Sequence, residues 1–286
     1  MRDNPWLERR VIAYAHQAGA REAPSSTLYA MRRALWHGAT GLELDVHATS
    51  DGELVVCHDP TLERTTNAAG EIAGLSLEEI RRLDNAYWFC PGQGAVKGHP
   101  PGDYVLRGRA PDDPDLCVAT LAEVLEAFPG VVLNLDIKRG APDVAPYEEA
   151  LARVLREHGR DDDVVVASFS GRAIEEFARH APGIAIVPGT DFTTEFYRRL
   201  HAGQPAQDGI ERYVALQVPA RFGPLVVVDE GFVAAAHASG LAVHVWTIDD
   251  PEEMEHLVSL GVDGIISDKP SVLAGVLSRL GANWEL

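Results

Sequence analysis

The sequence predicts an α/β protein that folds as one (β/α)₈ TIM barrel, with an insertion after a hairpin at the second strand. Short apolar runs typical of strands alternate with amphipathic stretches typical of helices, which indicates right-handed βαβ units and a parallel sheet. Eight such strands in 286 residues are enough to close one barrel. The strands are predicted at Val11–His16, Gly41–His47, Val131–Lys138, Val164–Phe169, Ile184–Pro188, Tyr213–Val218, Ala242–Thr247 and Gly264–Ser267.

Amphipathic stretches follow most of these strands and predict the helices of the outer ring. A doubly wound open sheet is the structural alternative, but the sequence has no Gly-rich dinucleotide loop to support it. We therefore expect a single domain over residues 1–286. The clearest helices are predicted at Ser26–Trp36, Tyr147–Glu157, Gly171–His180, Glu230–Ala238 and Pro251–Leu260.

One segment interrupts the alternation of strands and helices. Ser50–Glu53 is a turn signal, and Leu54–His58 after it predicts an extra strand that pairs with the second strand. Residues 60–117 then form a long insertion with one helix at Leu77–Leu83. Insertions of this length in a compact domain are usually functional, so we expect a wall or lid at the barrel mouth. Its aromatic cluster, Tyr87–Phe89, is expected to anchor the insertion to the barrel, with a grip on substrate as the alternative.

The charge balance limits the partners that the protein can bind. Lys and Arg number 25 against 43 Asp and Glu, a formal net charge of −18. This charge argues against nucleic acid and against an anionic membrane surface. An anionic small-molecule substrate would need a local positive centre. The sequence leaves the oligomeric state open.

The cysteines and the N-terminus bear on the compartment. Cys57, Cys90 and Cys117 are odd in number and widely spaced, which predicts neither a disulfide framework nor a zinc site. The sequence lacks an apolar leader at its start and any run long enough to cross a membrane. We therefore expect a cytoplasmic protein without stable membrane insertion.

The residues able to do acid–base or metal chemistry lie at predicted strand ends, which converge on one mouth of a barrel. Glu43 and Asp45 share one face of a strand, and Asp136 comes from another. Three carboxylates this close repel one another unless a cation lies between them, and oxygen ligands suit Mg²⁺ or Ca²⁺. We therefore predict one divalent cation, with a structural ion-pair network as the alternative. The full set is His16, Glu43, Asp45, His47, His58, Asp136 and Lys138.

Segments spread along most of the chain match the motifs of a known family. The block Gly41–Asp59 is the most diagnostic of them. The others are His16 with Pro24–Leu28, Arg64–Thr66, Leu135–Lys138, Val245–Thr247 and Asp263–Asp268. Together they resemble the glycerophosphodiester phosphodiesterase family from about Val11 to Pro270.

The resemblance implies metal-dependent hydrolysis of a glycerophosphodiester to an alcohol and glycerol 3-phosphate. It implies His16 and His58 as the acid/base pair, and we assign His16 as the base. It also implies a metal-ligand set, a phosphate contact and a residue that lines the substrate pocket. These are Glu43, Asp45 and Asp136 for the metal, Lys138 for the phosphate and Trp246 for the pocket.

Three positions depart from the family pattern. Gln17 stands where the family has an Arg that contacts phosphate, and Arg21 is a candidate for the same contact. Ser25 stands where the family has Glu, and Glu22 is a candidate replacement. Asp136 is shorter by one methylene than the usual Glu. We expect these changes to affect substrate choice more than activity.

Two other functions use the same residues. One is a phospholipase D-like or cyclising enzyme that acts on lysophospholipids. The other is a degenerate barrel that binds phosphodiesters without cleaving them, which the changes at Gln17 and Ser25 favour. The presence of His16, His58 and the three carboxylates argues against the degenerate barrel.

Overall fold

The computed structural model describes residues 4–8, 11–138, 140 and 143–282. Its helices are α1 (Pro5–Glu8), α2 (Leu28–Trp36), α3 (Leu77–Ile80), α4 (Leu121–Ala127), α5 (Glu148–Glu157), α6 (Gly171–His180), α7 (Thr190–His201), α8 (Glu230–Ala238), α9 (Pro251–Leu260) and α10 (Pro270–Leu280). Its strands are β1 (Ile12–His16), β2 (Gly41–Ala48), β3 (Leu54–Val56), β4 (Phe89–Cys90), β5 (Gly94–Ala95), β6 (Val132–Ile137), β7 (Val164–Ala167), β8 (Ala185–Ile186), β9 (Ala215–Pro219), β10 (Arg221–Phe222), β11 (Leu225–Val226), β12 (Ala242–Trp246) and β13 (Gly264–Ser267).

Eight of the strands in the described residues form a nearly closed parallel barrel, which confirms the predicted fold class. Their order is β8-β7-β6-β2-β1-β13-β12-β9, and every neighbouring pair is parallel. The two end strands approach each other, because the amide of Val214 donates to the carbonyl of Ile186 at 3.1 Å. Strand β3 pairs antiparallel with β2, so the predicted hairpin is also present.

The alternation of side chains along each strand separates the barrel interior from the helix layer. On β2, Leu42 and Leu44 pack outward against the helices. The residues between them, Glu43 and Asp45, point inward. On β1, Tyr14 packs inside the barrel, while Ala13 faces the helices. Inward polar residues near the C-terminal strand ends therefore converge at one mouth.

The opposite end of the barrel is closed by the N-terminal segment. Trp6 on α1 is 1% exposed and packs with Tyr14 and other residues of the barrel interior. The side-chain amide of Asn4 donates to the carbonyls of Val214 and Gly240 at 2.7 and 2.8 Å. With its N-terminal end filled, the barrel opens to solvent at the mouth that holds the polar residues.

The insertion packs beside the barrel and has a small core of its own. Phe89 packs with Leu106 in this core and against Tyr29 of α2, which anchors the insertion to the helix layer. The Arg107 guanidinium lies 3.7 to 4.6 Å from the ring centres of three aromatic residues, Tyr87, Trp88 and Tyr104. Tyr87 and Trp88 therefore pack within the insertion itself, and contact with the helix layer comes from the core that contains Phe89.

Helices α1, α4, α7 and α10 were not among the clearest predicted helices. One expectation needs correction. The insertion was expected to form a wall at the barrel mouth, but none of its described residues lines the mouth cavity. Helix α7 and the hairpin β10–β11 form that wall instead.

No helix among the described residues combines the length and apolarity needed to span a bilayer.

Candidate active site

Strand register brings the predicted carboxylates together at the mouth. Residue His16 of β1 lies opposite Glu43 of β2, and Asp45 of β2 lies opposite Asp136 of β6. All three carboxylates are buried, and Asp45 is fully so. The predicted face of the barrel therefore carries these four side chains.

Lys138 partly balances the buried charge. Its Nζ atom lies 2.8 Å from Asp45 Oδ1 and 2.9 Å from Asp136 Oδ2. Burial would lower the pKa of Lys138, but the neighbouring Asp45 and Asp136 carboxylates raise it above its usual value. Burial raises the pKa of Glu43, and the charge of Asp45 raises it further. Burial likewise raises the pKa of Asp136, to about 6, against the opposing effect of Lys138.

The remaining carboxylate oxygens fit a divalent cation. Among the residues that the structure describes, Asp45 Oδ2 and Asp136 Oδ1 are buried without a hydrogen-bond partner. When ionised, three carboxylates against one ammonium leave two negative charges, which one divalent cation would balance. Oxygen donors are those that Mg²⁺ and Ca²⁺ prefer. Within the described chain these carboxylates do not form a group with all ligand atoms within 4.8 Å, so a bound cation would draw them closer.

His16 is oriented by a residue from the far end of the sequence. Its Nδ1 lies 2.7 Å from Asp268 Oδ1, and its Nε2 lies 3.9 Å from Glu43 Oε2. Because a carboxylate accepts hydrogen bonds, the Nδ1 atom carries the proton. Burial would lower the pKa of His16, but the Asp268 hydrogen bond and the charges of Glu43, Asp268 and Asp45 raise it to about 9.

His58 follows β3 and has a matching arrangement. Its Nδ1 lies 2.7 Å from Asp59 Oδ1, and Arg64 Nε donates to Asp59 Oδ2 at 2.6 Å. Burial would raise the pKa of Asp59, but the hydrogen bonds from His58 and Arg64 lower it to about 2. The rings of His16 and His58 are 6.0 Å apart between centroids and nearly perpendicular. This separation is too long for a direct hydrogen bond.

The loop after β1 holds the residues that depart from the family pattern. Gln17 has a φ of 48°, in the left-handed region, and its amide donates to Glu43 Oε2 at 3.0 Å. Its side-chain oxygen accepts from Ser25 Oγ at 2.7 Å and from Arg64 Nη2 at 3.2 Å. Its side-chain nitrogen lies 3.4 Å from His16 Nε2. Ser25 and Arg64 thus hold the Gln17 amide beside the histidine.

The two candidate replacements have other partners. Arg21 Nε lies 3.3 Å from Asp249 and 3.9 Å from Asp268, and its side chain is about half exposed. Glu22 accepts from the Oγ and the amide of Ser271 at the start of α10. Arg21 therefore reaches the catalytic face through Asp268, the partner of His16. Glu22 ties the loop to the last helix.

A cavity of about 520 Å³ opens beside these residues. One end holds the charged side chains of the barrel mouth, including both histidines and Lys138. Trp246 lines the cavity, as the resemblance implies, with its ring centre 5.8 Å from that of Phe169. The polar floor includes Asn134, whose Nδ2 donates to Gln217 Oε1 at 3.2 Å.

Sequence reasoning undervalued three residues at this site. Asp268 appeared only as the end of the Asp263–Asp268 motif, yet it holds His16 across 252 residues of sequence. Asp59 and Arg64 appeared only as parts of motifs, yet they orient His58 and Gln17. The sequence could have indicated the role of Asp59, because Asp59 directly follows His58. Only the parallel pairing of β1 with β13 brings Asp268 near His16.

A second group of potential metal ligands lies away from the cavity, in the insertion. Cys90, His99 and Asp103 each offer a ligand atom within 4.8 Å of the others. His99 Nδ1 lies 3.4 Å from Asp103 Oδ2 within this group. None of the three residues lines the cavity.

Comparisons with known proteins show which family the chain resembles. Residues 16–272 match the model of the glycerophosphoryl diester phosphodiesterase family. A glycerophosphodiester phosphodiesterase of Caldanaerobacter subterraneus is 30% identical over 279 residues, which cover 95% of this chain and 100% of that protein.

Solved structures show the same fold. The glycerophosphoryl diester phosphodiesterase domain of a Mycobacterium tuberculosis protein aligns with a TM-score of 0.75 at 21% identity, over 95% of this chain and 99% of that chain. An Oleispira antarctica phosphodiesterase, solved with the product sn-glycerol-3-phosphate, aligns with a TM-score of 0.66 at 25% identity. That alignment covers 93% of this chain and 96% of the other.

The contact between Asp268 and His16 predicts a measurable pKa. In the metal-free protein, nuclear magnetic resonance of the imidazole nitrogens should show His16 titrating near pH 9. Asp268→Asn removes the carboxylate charge that helps to raise this pKa, so the midpoint should move to lower pH. Asp112→Asn, at an exposed position, is the control and should leave the midpoint unchanged. An unaltered His16 midpoint in Asp268→Asn would show that Asp268 does not stabilise the imidazolium.

Proposed function

This chain belongs to the glycerophosphoryl diester phosphodiesterase family, and we propose that it hydrolyses glycerophosphodiesters with a divalent cation and two histidines. The products would be an alcohol and glycerol 3-phosphate. The enzyme class follows from the family. The cation and the roles of individual residues are part of the proposal.

One observation carries the mechanism. The rings of two histidines lie 6.0 Å apart between centroids at the edge of a buried carboxylate cluster, and a carboxylate holds the Nδ1 atom of each. The Nε2 atoms are therefore left to exchange protons with a substrate. A phosphate group between the rings would have one proton acceptor and one proton donor on opposite sides.

The proton transfers follow from this arrangement. His16 takes a proton from the attacking water as the water oxygen bonds to phosphorus. His58 gives a proton to the alcohol oxygen as its bond to phosphorus breaks. A divalent cation held by Glu43, Asp45 and Asp136 would withdraw charge from the phosphate during the attack.

The assignment of His16 as the base depends on its surroundings. Negative charges raise its pKa to about 9 in the metal-free protein, which favours the protonated form at neutral pH. Much of this field comes from Glu43 and Asp45, the same groups proposed to bind the cation. Neutralising them lowers the pKa of His16 and allows it to accept a proton. Asp268 then keeps the ring oriented with Nε2 toward the cavity.

Three further residues are proposed to bind substrate, and a fourth to act through the partner of His16. Lys138 stands at the charged end of the cavity and would contact a phosphate oxygen. The Gln17 side-chain nitrogen, held near His16, would donate to another oxygen in place of the family's Arg. Trp246 would pack against the part of the substrate that extends from the phosphate. Arg21 would act indirectly, since its guanidinium pairs with Asp249 at 3.3 Å and lies 3.9 Å from Asp268, the partner of His16.

Product analysis separates hydrolysis from the alternatives. Incubation with sn-glycero-3-phosphocholine, followed by phosphorus magnetic resonance, should show glycerol 3-phosphate as the phosphorus product. A cyclic phosphate would indicate attack by a substrate hydroxyl, and unchanged substrate with and without added metals would indicate a binding barrel. The intact histidine pair favours hydrolysis over the binding barrel.

The cation proposal predicts loss of activity on chelation. Excess chelator should abolish hydrolysis, and Mg²⁺ or Ca²⁺ should restore it. Asp45→Asn removes a ligand charge and should lower kcat/KM by at least roughly 100-fold, because the cation stabilises charge in the transition state. Titration calorimetry should show weaker metal binding by this variant and ordinary binding by the exposed control Asp112→Asn. Full turnover in excess chelator would contradict the cation proposal.

The two histidines have different proposed roles, so their alanine variants should respond differently to a change of leaving alcohol. His16→Ala and His58→Ala should each lower kcat by at least roughly 100-fold, as expected for a positioned acid or base. Metal affinity should be retained in both. The exposed control His256→Ala should behave like the wild type.

A substrate with a strongly acidic leaving alcohol tests the division of labour. Such an alcohol leaves without protonation, so it should rescue His58→Ala and not His16→Ala. Equal rescue of both variants would show that the proposed roles are wrong. Rescue of His16→Ala alone would reverse the assignment.

A further inference from the structure

The group formed by Cys90, His99 and Asp103 in the insertion lies outside the site proposed for hydrolysis. The ligand atoms of these residues, one on each, lie within 4.8 Å of one another. None of the three residues lines the mouth cavity, so the cation proposed for the carboxylates does not account for this group. The spacing of the cysteines did not indicate it, because only one of the three residues is a cysteine.

Cys90 is held by the hairpin β4–β5. It lies opposite Gly94 on that hairpin and is 5% exposed. The side-chain nitrogen of Gln93 donates a hydrogen bond to the Cys90 sulfur at 3.5 Å. Hydrogen bonds to a ligand atom orient it and tune its charge at a metal centre, so the hairpin supplies both a sulfur ligand and its outer partner.

His99 and Asp103 are brought together by a rigid turn. Pro100 and Pro101 lie between them and restrict the backbone, and the amide of Asp103 donates to the carbonyl of Pro100 at 3.0 Å. The amide of His99 donates to the hydroxyl of the buried Tyr104 at 3.0 Å. A turn fixed in this way loses little conformational freedom when its side chains bind an ion.

The distances within the group fit a tetrahedral zinc ion. Two ligands at the usual zinc–nitrogen and zinc–oxygen distances lie about 3.4 Å apart around a tetrahedral centre. The separation between His99 Nδ1 and Asp103 Oδ2 is 3.4 Å. A zinc-bound sulfur lies about 3.6 Å from the other ligand atoms, so Cys90 Sγ needs to move by at most about 1.2 Å.

The three ligand atoms also select the metal. Zn²⁺ accepts a soft sulfur together with imidazole nitrogen and carboxylate oxygen, whereas Mg²⁺ and Ca²⁺ take oxygen ligands. Cys90 binds as the thiolate and releases its proton to solvent, so the thiolate and the Asp103 carboxylate together balance the charge of one zinc ion. An ion pair between His99 and Asp103 explains two of the residues without a metal, but it leaves the nearby sulfur unexplained.

We propose that Cys90, His99 and Asp103 form a zinc site that cross-links the hairpin β4–β5 to the turn at residues 99–103. Three protein ligands leave the fourth tetrahedral position to water, on the side where His99 and Asp103 are partly exposed. The hairpin also contacts the loop after β1, because the amide of Gly92 donates to the carbonyl of Arg21 at 2.9 Å. The zinc ion therefore fixes the part of the insertion that supports this loop.

Cobalt spectroscopy tests the site without reference to catalysis. The probe is Co²⁺, added to the metal-free protein with Mg²⁺ in excess to compete for the carboxylates of the barrel mouth. A Co²⁺ ion bound by a thiolate gives a sulfur-to-metal charge-transfer band in the near ultraviolet, which oxygen ligands do not give. We expect this band to saturate at one Co²⁺ per chain and to disappear when Zn²⁺ competes for the same ligands. No band at saturating Co²⁺ would overturn the site.

Matched variants identify the ligands. Cys90→Ser should abolish the band, whereas Cys117→Ser, the same change at another buried cysteine of the insertion, should keep it. His99→Gln and Asp103→Asn, at partly exposed positions, should each weaken Co²⁺ binding by at least roughly 10-fold, since even the outer partners of metal ligands contribute that much. The exposed control His256→Gln should bind Co²⁺ as the wild type does.

Two results with these variants would contradict the proposal. A band that survives in Cys90→Ser would place the sulfur ligand elsewhere. A band that depends on Cys90 alone, with unchanged Co²⁺ affinity in His99→Gln and Asp103→Asn, would show a single thiol that binds metal without the other two ligands.

Zinc should also stabilise the folded protein, because an ion that binds only the folded state shifts the unfolding equilibrium. In excess Mg²⁺, added Zn²⁺ should raise the thermal midpoint of the wild type and of His256→Gln, and it should leave that of Cys90→Ser unchanged. His99→Gln repeats this test at a partly exposed position. An equal rise in all four proteins would exclude the cross-link. Because the three ligands lie outside the cavity, the site stands or falls independently of the proposed hydrolysis.

Discussion

The register between β2 and β6 is the constraint on which the site depends. It sets Asp45 opposite Asp136 in the barrel interior, and Glu43 lies two residues before Asp45 on the same strand. Burying three carboxylates is unfavourable unless positive charge accompanies them. Lys138 supplies one positive charge, and the raised pKa of His16 favours its positively charged form. The proposed cation supplies the remaining positive charge. The chemistry of the site is therefore a consequence of how the barrel compensates its own buried charge.

Much of the carboxylate cluster could be predicted because its signal is local. Glu43 and Asp45 are two residues apart on a strand, and a period of two fixes them on one face. The parallel barrel then brings Asp136 to the same mouth. Asp268 was harder to evaluate, since nothing in its neighbourhood distinguishes a histidine partner from a loop anchor. Its role follows from the closure of the barrel, which pairs the first and last strands.

Prediction of the helices and strands likewise succeeded where the sequence signal is local. The amphipathic helices α6, α8 and α9 were predicted with the bounds that the structure has, and the eight barrel strands were predicted with bounds that differ by up to two residues at either end. The hairpin β10–β11 was not, because its apolar residues remain exposed and form no core pattern. Local rules tend to fail at functional sites. Here the unpredicted hairpin forms part of the apolar wall of the cavity. The long insertion was the wall that the sequence predicted, but it supports the loop after β1 from outside the cavity.

Anomalous diffraction tests the central claim most directly, that the buried carboxylates hold a divalent cation beside the histidine pair. Crystals grown with Mn²⁺, which takes the same oxygen ligands as Mg²⁺, and with glycerol 3-phosphate would be measured at a wavelength where manganese scatters anomalously. The account predicts one strong peak in contact with Glu43, Asp45 and Asp136, with the phosphate between His16 and His58. A map without a peak there at saturating Mn²⁺, with Lys138 still paired to both aspartates, would contradict it.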